Sequence, residues 1–321
     1  MTNKPRILAI VGPTAGGKTA LSIALAKRLG GEIICCDSMQ IYRGMNVGTA
    51  KPDEAERDGV PHHLFDILDP EQPFSVNTYL ELAAKAVEDI LRRGRLPIFC
   101  GGTGLYLDAF LRGGLPETPG ADPALREELL ALARERGEDF LHAQLSSVDP
   151  ESAEAIHKNN VRRVVRALEI YRLTGVTKSE WDRRSTALHS PYNAAVLGLF
   201  FEDRSLLYAR IEQRVDMMLE MGLAEETARL YAAGVFEHSP TAAAAIGYKE
   251  LLPYLRGECT LSEATEELKT ATRRYAKRQL TWFGAKDYVR HLYADEGGSM
   301  RKSEEIVNNA IEVATATWNM L

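Results

Sequence analysis

The sequence predicts an α/β fold: a P-loop parallel-sheet core with a helical insertion domain. Three observations carry this. Over roughly the first 110 residues, short β-branched apolar runs alternate with helical patterns, as parallel strands joined by crossover helices do. A G-x-x-x-x-G-K-T segment at residues 12–19 joins the first apolar run to the first helical pattern, the setting in which that motif holds phosphate. From 122 to about 182 only helical periodicity remains, and a strand pattern returns at 194–201.

Taken in order, residues 7–11 (ILAIV) form the first strand and residues 18–29 the first helix. Residues 32–36 read as a second strand and 64–68 as a short third. Within 77–93, Tyr79, Leu82, Ala83, Ala86, Val87 and Ile90 recur at helical spacing until Gly94 stops the run. Residues 96–100 form another buried strand, followed by Gly101-Gly102-Thr103-Gly104 and a further helix. The pattern changes at Gly113-Gly114-Leu115-Pro116. The economical division is a discontinuous core, 1–112 and 191–321, around an insertion at 113–190. The later part of the core is largely helical over 203–284, and 289–293 forms a last strand.

Composition narrows the function classes. With 321 residues, 45% apolar and 26% charged, the chain is neither disordered nor collagenous nor a disulfide scaffold. Its apolar runs fall far short of a membrane span, and the N-terminus runs into a strand with no signal-peptide pattern. A cytoplasmic enzyme with no membrane and no obligate protein partner is expected. Cys35, Cys36, Cys100 and Cys259 have no zinc-ligand spacing and read as small buried residues of a reducing compartment. His62 and His63 are adjacent and so do not share a metal on one strand face. The net charge is −6, yet two stretches are locally basic. Lys158, Arg162, Arg163 and Arg166 lie in an acid-free run, as do Lys269, Arg273, Arg274, Lys277, Arg278 and Lys286.

The glycine loop points to a diphosphate or triphosphate. Gly12, Gly16 and Gly17, with Thr14 and Ala15, let backbone N–H groups converge on phosphate oxygens at a helix N-terminus. Lys18 adds a point charge, and Thr19 offers a hydroxyl to Mg2+. Most such loops serve cleavage of a P–O bond, with a Mg2+-binding Asp at the end of a second strand. Here the 96–100 strand ends in glycines, whereas the 32–36 strand runs into Asp37. Metal ligand, general base and turn cap are all open for Asp37 at this point. Thr103 is open as a donor to a leaving group or as a helix N-cap. Arg210 and Arg214 share one face of a helical pattern and suit bidentate phosphate contact.

Six segments together resemble one family, the tRNA dimethylallyltransferases. They are GPTAGGKT at 12–19, DSMQIYRGMNVGTAKP at 37–52, GGTGLY at 101–106, RIEQRVDMMLEMGL at 210–223, AIGYKE at 245–250 and AKRQLTWF at 276–283. The resemblance implies transfer of a dimethylallyl group from its diphosphate to the exocyclic amine of the adenine just 3′ of the anticodon. The loop would then hold the departing diphosphate with Mg2+, and a C–O bond would break. The resemblance assigns Asp37 as base and Thr103 as a donor to the bridging oxygen. It places Arg214 on the diphosphate, with Arg210 beside it. It maps tRNA contacts to Asp37, Ser38, Met39 and Gln40, to Arg162, Arg163, Val164, Val165 and Arg166, and to the surroundings of Thr103 and Arg126. Lys277 and Arg278, from the second basic stretch, join them as expected tRNA contacts. Gln40 has the donor and acceptor to read adenine, Met39 suits packing, and Ile41 and Tyr42 read as core. The rival readings are a kinase using the same loop and a non-catalytic RNA-binding module.

Overall fold

The computed structural model describes residues 4–114, 120, 122–186 and 190–320. The chain divides into two compact units, one formed by Met1–Asp108 with Pro191–Leu321, the other by Ala109–Ser190. The helix Gly104–Leu111 runs across that division, so the break falls inside a continuous helix and not at the glycines that mark it in the sequence. Leu115 and Pro116 of that junction lie outside the described residues.

The first unit is built on a parallel sheet of six strands: β1 (Arg6–Val11), β2 (Gly31–Cys35), β3 (His62–His63), β4 (Leu96–Cys100), β5 (Asn193–Phe200) and β6 (Val289–Tyr293), in spatial order β3-β2-β4-β1-β5-β6. Ile7, Leu8, Ala9 and Ile10 are fully buried, as a central parallel strand covered on both faces requires. The expected third strand at 64–68 is corrected. His62 and His63 pair with Ile33 and Ile34, while Leu68 makes only an isolated bridge to Tyr42. Leu64 and Asp66 have φ of 65° and 53°, and that left-handed backbone cannot continue a strand.

The helix Val76–Arg92 starts on Ser75, whose hydroxyl accepts the Thr78 N–H, and buries Tyr79, Ala83, Val87 and Ile90. A last helix, Ser303–Met320, closes the core with Val307, Ala310, Ala314 and Trp318; Trp318 Nε1 donates to the Ile7 carbonyl at 3.2 Å. A second apolar cluster joins Ile41, Tyr42 and Met45 to Val215, Leu223, Tyr248 and Leu268. It holds the segment after Asp37 against the helices Arg204–Glu220 and Leu261–Gly284. Ile41 and Tyr42 are therefore core residues, as expected.

The second unit is helical throughout its described elements. Pro123–Arg136, Glu138–Val148, Pro150–Ala155, Val161–Thr174 and Lys178–Thr186 pack around Leu129, Leu141, Leu145, Val164, Val165 and Leu168. Asp122 and Asp149 cap two of these helices. No helix among the described residues is long and apolar enough to cross a membrane.

Candidate active site

Strand order brings three loops together at the carboxyl edge of the sheet, where open α/β sheets bind ligands. The glycine loop follows β1, Gly101–Thr103 follows β4, and Asp37 follows β2. Because β4 lies between β1 and β2, the Gly101–Thr103 turn sits between the phosphate loop and Asp37. Glycine is required there by contact: a Cβ on Gly101 would fall 2.0 Å from the Cys36 carbonyl oxygen. Cys36 N–H donates to the Cys100 carbonyl at 2.8 Å and Thr103 N–H to the Cys36 carbonyl at 3.1 Å. The Thr103 hydroxyl accepts the Ser38 N–H at 3.2 Å. The two loops thus form one hydrogen-bonded frame.

The phosphate loop has its own restraints. Gly12 has φ of 135°, and a Cβ there would lie 2.7 Å from the Leu199 carbonyl oxygen. Gly16 N–H donates to the Pro13 carbonyl at 3.1 Å. Gly17, at φ 97°, leads into the helix Lys18–Leu29. Lys18 Nζ donates to the Pro13 carbonyl at 2.8 Å. Arg210 Nε donates to the Ala15 carbonyl at 2.9 Å, so Arg210 braces the loop from outside.

A cavity of about 430 Å³ opens over these loops. Its polar wall includes Lys18, Thr19, Asp37 and Arg214; its apolar wall includes Val215, Met218 and Leu268. Burial pushes the Lys18 ammonium down to about 8; Arg214 adds to this, while Cys100 and Asp37 oppose it. Burial raises the Asp37 carboxyl above its ordinary range, against the Met39 N–H and the Lys18 charge. The Met39 N–H bond to Asp37 Oδ1 is 2.9 Å. Both shifts have one leading cause, the withdrawal of charged groups from water into the same cavity. Burial also lowers Arg214, with Arg210 acting in the same direction.

Thr14, Lys18, Thr19, Arg214 and the run Asp37–Gln40 all line this cavity, and so does Arg278, whose guanidinium lies 5.4 Å from the Tyr275 ring centroid. Thr103 is not among the lining residues; its neighbour Gly101 is. Gln40 requires a correction. Its Nε2 donates to the carbonyls of Thr49 and Ala50 at 2.9 and 3.1 Å, so its amide folds its own loop and is not free to read a base. Lys277 lies away from this cavity, in a cleft with Phe200, Phe201, Arg204 and Tyr208. The second basic stretch is not acid-free in space. Lys269 meets Asp216 at 2.7 Å, Arg273 meets Glu212 at 2.7 Å and Arg274 meets Glu267 at 3.7 Å.

In the helical unit, Arg162 and Arg163 are exposed at the start of Val161–Thr174. Val164 and Val165, on the helix's apolar stripe, are buried in the unit's core. Arg126 and Arg166 lie 2.7 and 2.8 Å from Glu169, a fully buried carboxylate that also accepts the Asp122 N–H. The arginines hold Glu169 below its usual range against the opposing effect of burial.

Two residues that sequence reasoning passed over shape the site. Glu226 accepts N–H groups from Asn46, Val47 and Gly48, each at 3.1 Å, and the Tyr248 hydroxyl at 2.7 Å. Gln279 is buried; its Oε1 accepts the Thr14 N–H at 2.8 Å, and its Nε2 donates to the Gly102 carbonyl at 3.2 Å. The signal available for Gln279 was a polar residue on the stripe of Leu268, Ala271, Tyr275 and Phe283.

Comparison with known proteins places this geometry. Residues 40–286 match a family model described as IPP transferase, and residues 5–65 match one described as isopentenyl transferase. The chain is 54% identical over 283 residues to the tRNA dimethylallyltransferase of Geobacillus thermodenitrificans, covering 88% of each. It is 50% identical over 286 residues to that of Bacillus subtilis, covering 89% of this chain and 90% of the relative. Among solved structures, the full-length tRNA isopentenylpyrophosphate transferase from Bacillus halodurans is 46% identical with a TM-score of 0.71 over 99% of each chain. A eukaryotic dimethylallyltransferase acting on tRNA is 33% identical with a TM-score of 0.76, covering 91% of this chain and 74% of that one.

Proposed function

The chain belongs to the tRNA dimethylallyltransferases, which are prenyl-transferring enzymes, and from that premise we propose the bond it breaks and the atom it modifies. Dimethylallyl diphosphate gives its five-carbon group to the exocyclic amine of the adenine 3′-adjacent to the anticodon in tRNA. The allylic C–O bond breaks, an N–C bond forms, diphosphate departs and the amine loses one proton. The observation that carries this reading is a single cavity lined by both Asp37 and the phosphate-loop residues Lys18 and Thr19, with Arg214 beside them.

The roles follow from the chemistry. An exocyclic adenine amine is a weak nucleophile because its lone pair is delocalised into the ring. It becomes effective as its proton leaves, and Asp37, more basic than an ordinary carboxylate, accepts that proton. Charge grows on the departing diphosphate, and Lys18, Arg214 and the loop amides stabilise it. Thr103 holds Ser38, and so Asp37, in place through its hydroxyl. Thr19 presents a hard oxygen donor to the cavity, which fits Mg2+ completed by phosphate oxygens and water. Bound there, the ion would neutralise diphosphate charge. Arg278 over Tyr275 supplies a cation and a π face for RNA, and exposed Arg162 and Arg163 supply phosphate contacts on the helical unit.

The test is mass spectrometry of an anticodon stem-loop RNA incubated with the full chain, dimethylallyl diphosphate and Mg2+. One C5 unit gained at the expected adenine supports the reading. No prenylated RNA, with γ-phosphate transfer from ATP to an acceptor instead, would establish the kinase in its place.

A further inference from the structure

Gln279 connects two loops that reach the site from different strands. Its amide orientation is not arbitrary: a backbone N–H at Thr14 demands the oxygen, and a carbonyl at Gly102 demands the nitrogen. A Cβ at position 102 would fall 1.9 Å from Nε2, so a side chain there would have to push the glutamine amide aside. The backbone then runs from Gly102 into Thr103, whose hydroxyl holds Ser38 N–H. A continuous chain of bonds therefore runs from the phosphate loop through Gln279 to the segment carrying Asp37. The same helix, Leu261–Gly284, also presents Tyr275 and Arg278 to the cavity.

We propose that Gln279 is a positioning residue: its side-chain amide sets the spacing between the diphosphate cradle and the Gly102–Thr103–Asp37 frame. The inference rests on the prenyl-transfer reading, because it concerns the distance between the group that departs and the base that deprotonates the acceptor. Gln279 itself lines the cavity, but both ends of its amide are bonded to backbone. Its effect comes from registry, since a displacement of about 1 Å between reacting groups costs on the order of 100-fold in rate.

The experiment is single-turnover prenyl transfer with saturating dimethylallyl diphosphate and anticodon stem-loop RNA. It compares the parent chain with Gln279→Met, Gln279→Glu and Gly102→Ala, with the rate expressed per folded molecule. Gln279→Met removes both bonds at similar volume, and Gly102→Ala displaces Nε2 while leaving the glutamine in the sequence. Both are expected to lower the rate by about 100-fold with RNA affinity within about threefold of the parent. The double variant is expected to be no slower than the slower single variant, because both changes break one link. Gln279→Glu supplies a readout that packing alone would not move. Its carboxylate repels the Gly102 carbonyl, whereas its protonated form restores the donor, so its rate relative to the parent should rise as pH falls. Rates within threefold of the parent in both Gln279→Met and Gly102→Ala, or a pH-independent deficit in Gln279→Glu, would overturn the assignment. A parent that forms no prenylated RNA would instead overturn the underlying function.

Discussion

Asp37 and Lys18 face the same cavity with their acidities moved toward each other, and each has a measurable consequence. Asp37→Asn keeps the shape and the acceptor for the Met39 N–H but removes the proposed base. The expected outcome is a fall of about 10²–10⁴ in the single-turnover rate with RNA affinity retained in a filter-binding assay. Near-parent turnover in that variant would remove Asp37 from the role of base. In the proposed reaction Lys18 acts as a cation, and burial lowers it to about 8. Its charge is complete below that value and is lost as pH rises through it. The kcat/KM for dimethylallyl diphosphate, which reports the free enzyme, should therefore decline above about pH 8. Arginine does not deprotonate in this range, so Lys18→Arg should lose that alkaline limb whatever its absolute rate; an unchanged limb would assign it to another group.

The segment from Asp37 to Lys51 contains no helix or strand and is held by many hydrogen bonds. Its own residues contribute Gln40, bonded to Thr49 and Ala50, and Lys51, which donates to the Tyr42 carbonyl at 2.7 Å. The remaining restraint comes from afar. Glu226 gathers three consecutive N–H groups and the Tyr248 hydroxyl, and a Cβ on Gly48 would fall 2.4 Å from the Tyr248 ring. Glu226→Gln replaces one buried acceptor with a donor that faces other donors. It should destabilise the fold by about 1–3 kcal/mol, lowering Tm by about 2–4 °C for each kcal/mol, and should slow prenyl transfer because this segment carries Asp37. A thermal scan with the Tm unmoved would mean the cage contributes nothing.

For the whole molecule, the charge pattern decides how a chain of net charge −6 meets a polyanion. Most of its cations are already spent on carboxylates: Lys269, Arg273 and Arg274 on acidic neighbours, Arg126 and Arg166 on Glu169. Exposed Arg162 and Arg163 are the more informative pair. Replacing both with alanine should weaken stem-loop binding and reduce the slope of log K against log salt by about 1.4–1.8, which is two phosphate contacts at 0.7–0.9 each. Binding measured between 50 and 200 mM salt, concentrations that span the steep range, checks this; an unchanged slope would make the two arginines a solvated face. Arg166→Ala should behave differently, costing stability, because it leaves buried Glu169 with one cation fewer.

What the sequence determined by itself is local. The phosphate loop, the glycine turn at 101–104, the strand limits at 96–100 and 289–293, and the carboxylate after β2 all follow from backbone freedom and apolar periodicity within a few residues. The same local logic missed the break at Leu64 and Asp66, where a leucine, which rarely leaves negative φ, and an aspartate, which does so more readily, both adopt positive φ. Only the tertiary structure decided that β4 lies between β1 and β2, which sets the glycine turn between the phosphate loop and Asp37. It also decided which cations are neutralised and that Gln279 reaches Thr14 across 265 positions of chain. The physical reason is range: φ/ψ preference and hydrophobic period act between neighbours in sequence, whereas ion pairing and the satisfaction of buried polar groups depend on which distant surfaces the packed core brings into contact.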